Sequence, residues 1–267
     1  MRIAIVAPSC PLDPAAVPMI AARAAAAGVA VDVHPQCFSR AGHFAGSDAE
    51  RLAAILELMA NDAVDAVWCA RGGYGSNRIA EAVAAQLPAG ARDKAVMGFS
   101  DAGFLLSALH REGVGVAHGP MAQDALRIGG IEAIDRAIAW LARQERSALE
   151  ADLTSDRPTL AFNLEVLVSM LGTPIAPRLA GAELLIEEVA EHLYAIDRAM
   201  FMLTGQSERP ASLRLGRVSD VPHNDPDFGE EAEAIVARWC ERAGIDYRGR
   251  ADIGHDAANK VVPFSSR

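Results

Sequence analysis

Three things that would each narrow the protein's class at once are missing from the sequence. There is no cluster of lysine and arginine. The 25 basic residues are outnumbered by 35 acidic ones, for a formal net charge of −10, which argues against a nucleic-acid partner. No apolar run approaches the roughly 20 residues needed to cross a bilayer, and the apolar part of the opening MRIAIVAPSCPLDP is too short for a secretory signal. The four cysteines (Cys10, Cys37, Cys69 and Cys240) have neither CxxC nor zinc-type spacing. Reduced, mostly buried thiols in a cytoplasmic protein are expected, with no membrane partner and no bound metal. Internal repeats and low-complexity tracts are absent as well.

What remains is a globular composition: 267 residues, 51% apolar and 22% charged, enough for one large domain or two small ones. The first ~120 residues alternate strand and helix signals. Short apolar runs stand at Ile3–Ala7, Val29–Val33, Val64–Cys69, Ala95–Met97 and Val114–Ala117. Between them lie helical patterns. One starts at Ser47-Asp48-Ala49-Glu50, a capping box in which the serine and glutamate serve each other's backbone N–H, and continues with Leu52, Ile55, Leu56 and Met59 on one face. Alternation of this kind predicts an α/β fold with a parallel sheet covered on both faces. After a helix at about Ile131–Arg143 comes ERSALEADLTSDRPTL, polar and without a period, read as a linker over 145–159. Beyond it, helices are expected at Asn163–Leu171, around Asp197–Leu203 and at Glu230–Ala243. Strands are expected at Leu184–Ile186 and Ser212–Val218.

The chemistry-bearing candidates lie where strands end. In MGFSDAGF, Ser100 follows a buried strand and precedes a helix. Serine there is either a helix cap or a nucleophile on a strained turn, G-x-S-x-small, with Ala102 in the last small position. RGGYG at 71–75 is either a tight turn or a loop whose backbone N–H groups approach a ligand. It lacks GxGxxG and a P-loop lysine, so no nucleotide cofactor is expected. A serine nucleophile needs a base. His118, at a strand end, and His255, in the polar loop DIGHDAANK, can reach a sheet edge; His110, nearly three helical turns beyond Ser100, points elsewhere. The base needs an orienting acid. LLIEEVAEH offers Glu187, Glu188 and Glu191, although a solvated acidic turn is the plain reading. Cys10 and Cys69 read as buried thiols.

Taken together, IAIVAPS, GHFAGSDAERLAAI, CARGGYGSNRI, MGFSDAGFLLSALHREG, HGPM, NLEVLVSMLGTP, GAELLIEEVAEHLYAIDRAM and GHDAANKVVPF resemble, in order and over nearly the whole chain, the serine LD-carboxypeptidases. These are muramoyltetrapeptide carboxypeptidases, a family that also includes microcin-inactivating peptidases. The resemblance implies two domains: a Rossmann-like parallel-sheet domain at 1–144 and a smaller, β-rich C-terminal domain at 160–267. It implies Ser100 as nucleophile, His255 as general base and Glu187 as its orienting acid, with the N–H groups of Gly73 and Asp101 as oxyanion hole. It implies hydrolysis of the L,D-bond to a terminal D-alanine of muropeptides in peptidoglycan recycling, without cofactor or metal. Arg71 is either a partner for the substrate's terminal carboxylate or an anchor of its own loop. Two other functions compete: a microcin-type hydrolase of peptide–nucleotide conjugates, and a non-catalytic peptide-binding protein. The resemblance leaves room for a homodimer, for which the sequence carries no interface signature. It departs from the family pattern at Ala161-Phe162, where two glycines are usual.

Overall fold

A computed structural model describes residues 1–153 and 157–265. Strand β1 (Arg2–Val6) sends Ile3 and Ile5 to one face of the first sheet and Ala4 and Val6 to the other, the two-residue alternation of a pleated strand. Strands β2 (Ala30–Val33), β3 (Ala66–Cys69), β4 (Ala95–Gly98) and β5 (Gly115–His118) extend this sheet in parallel. β1, β3, β4 and β5 are almost wholly buried, as strands covered on both faces must be. Helices α1 (Ala16–Ala26) and α5 (Gly130–Arg143) cover the Ile3 side. Helices α2 (Asp48–Ala60), α3 (Asn77–Ala85) and α4 (Gly103–Arg111) cover the other. The capping box at the start of α2 forms as expected, with Ser47 N donating to Glu50 Oε2 at 2.7 Å.

The second sheet is parallel too. Strands β6 (Thr159–Asn163), β7 (Glu183–Val189), β8 (Ser212–Ser219) and β9 (Asp246–Arg250) lie in chain order. Helices α6 (Leu164–Met170), α7 (Leu193–Thr204) and α8 (Ala232–Ala243) make the connections. This unit is therefore itself layered α/β. The chain then returns to the first sheet, where β10 (Val262–Pro263) pairs antiparallel with β5.

One apolar core runs through both units. α4 is buried from Gly103 to Leu109, and Val166 and Phe162 of the second unit pack so close to Gly103 that a Cβ there would meet them at 3.0 and 3.2 Å. Phe162, at the position where the family pattern has glycine, is buried and packs edge-on against Phe264, ring centroids 5.0 Å apart. It fills the seam between the units. The expected linker at 145–159 is anchored at its start by Glu150, buried and paired with Arg214 at 2.8 Å. Residues 154–156 lie outside the described residues, and Thr159 already opens β6. Among the described residues, no helix is long and apolar enough to cross a membrane.

Candidate active site

In a parallel sheet all strands end at the same edge, and ligands gather there. β3 ends into the RGGYG loop, β4 into Ser100, and β5 at His118. Ser100 has φ of 57°, the left-handed region that a non-glycine residue seldom occupies. The turn is possible because its neighbours are small. A Cβ on Gly98 would come within 2.9 Å of Cys69 and 3.0 Å of Ala102. Ser100 therefore projects from a crowded, strained turn just before α4, as a nucleophile elbow requires, and does not cap the helix: no side-chain cap bond forms.

A chain of hydrogen bonds leads away from it. His255 Nε2 lies 2.9 Å from Ser100 Oγ, and His255 Nδ1 lies 2.5 Å from Glu187 Oε2. Three segments far apart in sequence are thus joined. Glu187 is completely buried. It stands on β7 where two β8 residues, Gly216 and Arg217, oppose it, an irregularity of the β-bulge kind. Gly216 makes the space, since a Cβ there would lie 2.6 Å from the Ile253 carbonyl and 2.9 Å from Glu187 Cβ. Burial alone would disfavour a charged His255. The negative charge of Glu187 and its hydrogen bond, with Glu188 behind, outweigh that and hold the imidazole above its ordinary value of 6.5. Glu188 is buried as well. Burial chiefly, with the adjacent Glu187, pushes its carboxyl up to about 7 against the pull of three donors: Asn163 Nδ2, Glu165 N and Val189 N. Neither glutamate lies in a solvated turn.

The remaining candidates fall around this chain. Arg71, Gly72, Gly73, Ser100 and His255 line one cavity of about 500 Å³, together with Met121, Asp124 and Arg127. Gly72 abuts Ser100, whose Oγ would lie 3.1 Å from a Cβ at that position. Gly73 has φ of 108° and is pressed against Cys10. Asp101 follows Ser100, and its buried carboxylate accepts hydrogen bonds from Ser9 Oγ, from Ser76 N at 2.8 Å and from Gly75 N at 3.2 Å. It ties the glycine-rich loop to the serine turn, a role the sequence reading did not assign. Cys10 is buried as expected, but its Sγ sits 3.1 Å from Nε2 of His43. Cys69 is buried, and burial pushes its thiol up to about 12.

His118 is buried beside the hydrogen-bonded chain and belongs to a different network. Its Nε2 and the Gly254 N–H both approach Asn259 Oδ1 at 3.1 Å. Since Gly254 N can only donate, Asn259 Oδ1 accepts, and neutral His118 donates to it. Phe99 lies between the His118 and His255 rings, with centroids at 5.5 and 4.9 Å. His110 points away from the site and meets Phe264. Asn259, Gly216 and Arg127 escaped the sequence reading. Only Arg127 had a local signal, its i, i+3 spacing from Asp124.

An acid-oriented imidazole against a hydroxyl can take the hydroxyl's proton and return it to a leaving group. The chain is also similar to known proteins. Residues 3–119 match the family model described as the LD-carboxypeptidase N-terminal domain, and residues 158–267 match the LD-carboxypeptidase C-terminal domain. The chain is 31% identical over 278 residues to a probable murein peptide carboxypeptidase of Bacillus subtilis, covering 99% of this chain and 87% of that protein. The fold matches a crystal structure of muramoyltetrapeptide carboxypeptidase from Oxalobacter formigenes with a TM-score of 0.83, 24% identity and coverage of 99% and 93%. It also matches the microcin C7 self-immunity protein MccF in its wild-type apo state, with a TM-score of 0.77, 16% identity and coverage of 100% and 96%.

Proposed function

The chain belongs to the LD-carboxypeptidase family, and from that premise we propose that it is a serine peptidase acting on murein tetrapeptides. It hydrolyses the bond between an L-centre and the terminal D-alanine, in the recycling of cell-wall fragments. The observation that carries this reading is the hydrogen-bonded chain Ser100–His255–Glu187 at the cavity edge.

In this mechanism Ser100 Oγ attacks the scissile carbonyl while His255 Nε2 takes its proton. Glu187 fixes the Nδ1–H tautomer and stabilises the imidazolium. The oxyanion of the tetrahedral intermediate is met by the N–H groups of Gly73 and Asp101, and losing one such donor costs about 10²–10³ in rate. The imidazolium then protonates the departing amine of D-alanine. His255 next activates a water that cleaves the acyl-enzyme and regenerates Ser100. Arg71, in the cavity wall, offers a guanidinium to a substrate carboxylate.

The test is release of D-alanine from L-Ala-γ-D-Glu-meso-diaminopimelate-D-Ala by the wild type and by Ser100→Ala. The expected result is a fall of about 10⁴-fold or more in the variant. Equal release by both would remove Ser100 from the mechanism. No release by a folded wild type would remove the tetrapeptide as substrate.

A further inference from the structure

Two arginines stand in the cavity wall, and they are held differently. Arg71 is exposed and makes no hydrogen bond among the described residues. Arg127 is clamped at both ends. Its Nε donates to Asp124 Oδ1 at 2.7 Å, and its Nη1 donates to the carbonyl of His255 at 2.7 Å. Asp124 is itself buried and fixed, its Oδ2 accepting from Met121 N at 2.8 Å. A guanidinium has five N–H groups, so three of Arg127's have no partner among the described residues, on a side chain still 44% exposed where it lines the cavity.

This is the arrangement of a recognition group. A free arginine loses rotamer freedom when it grips a ligand, and one already immobilised loses little. The charged residues lining the cavity are two cations against one carboxylate, so an anion is favoured there. The position suits an anion next to the reacting bond. The guanidinium is tied to the backbone of His255, whose ring touches Ser100, and the carboxylate of a terminal residue lies only about 3.5 Å along the chain from the bond being cut.

We propose that Arg127 binds the free carboxylate of the substrate's last residue and thereby restricts hydrolysis to the terminal peptide bond. Arg71, unanchored, is left for carboxylates farther along the peptide. The proposal rests on the peptidase reading above, and its test is chosen to be read without turnover.

Binding of the same tetrapeptide, as free acid and as C-terminal amide, is measured by calorimetry on Ser100→Ala. The acid is expected to bind roughly 10- to 100-fold more tightly. Adding Arg127→Met is expected to bring the two affinities together, and Arg127→Lys to restore part of the difference. Adding Arg71→Met is expected to weaken both ligands alike and keep their ratio. An arginine that merely braced the His255 loop would weaken acid and amide equally, so an unchanged ratio in Arg127→Met overturns the proposal. So does collapse of the ratio in Arg71→Met, or a parent that binds neither ligand or does not tell them apart. If the acid is preferred through Arg127 but the wild type releases no D-alanine, the carboxylate site stands and the hydrolytic reading falls.

Discussion

At the scale of single residues, Ser100 and His255 each carry a measurable signature of the site. A non-glycine residue at a φ of 57° stores strain of order 1–3 kcal/mol. Ser100→Ala keeps the strain and Ser100→Gly relieves it. Ser100→Gly is therefore expected to be the more stable of the two by about 1 kcal/mol in chemical denaturation, with both inactive. The sign of the pH effect follows from His255. The proposed base must be unprotonated to act, and Glu187 holds this imidazole above 6.5 against the burial that would lower it. The kcat/KM profile is therefore expected to rise with pH through a midpoint above 6.5. Glu188→Gln removes a negative neighbour, so the midpoint should move to lower pH. A midpoint that stayed in place would show that Glu188 does not feed charge to His255.

At the scale of elements, the site depends on how β7 and β8 are out of step around Glu187. Gly216→Ala would drive a methyl into the Ile253 carbonyl and Glu187 Cβ. It should lower kcat by at least ten-fold (on the order of 1.4 kcal/mol in barrier) while the melting temperature falls only slightly. An unchanged kcat would mean the strands relax around the methyl. Such a residue is hard to see in the sequence. β1, β3, β4 and β5 were legible because strands buried on both faces are short apolar runs bounded by turns. β6 was not, because TLAFN follows a polar stretch and has no alternation. Glu187 and Glu188 read locally as a wet turn. Their burial is imposed by His255, 68 residues away, and by Asn163, 25 residues away, and no local window holds those partners. The serine turn, by contrast, was visible in five residues, because its steric demands fall on immediate neighbours.

At the scale of the whole molecule, the two units meet around His118. It ends β5 in the first unit and donates to Asn259, which also holds the backbone of Gly254 beside His255. Burial chiefly, with His255 adding to it, lowers the His118 pKa to about 4, against the raising influence of Glu187 and the Asn259 bond. The unfolded chain binds this proton near 6.5 and the folded one does not until about 4, so in that window the unfolded state carries more protons and stability falls as pH falls. The melting temperature is expected to drop between pH 6.5 and 4, less steeply in His118→Gln. Equal slopes in wild type and variant would mean that other groups dominate acid unfolding.

The antiparallel return of β10 onto β5 has a further meaning during synthesis. β5 is complete at His118 and pairs with β4 on one side, yet its neighbour on the other side is made only at Val262–Pro263, after His255 as well. At ribosomal speeds of about 5–20 residues per second, the first unit waits on the order of ten seconds with that strand edge unpaired, and unpaired edges invite association with other chains. Over the same interval Ser100 has emerged but its hydrogen-bond partner His255 has not. On the proposed mechanism a nascent chain thus carries a nucleophile that cannot yet be activated, and closing the sheet and completing the Ser100–His255 contact become late, nearly simultaneous events.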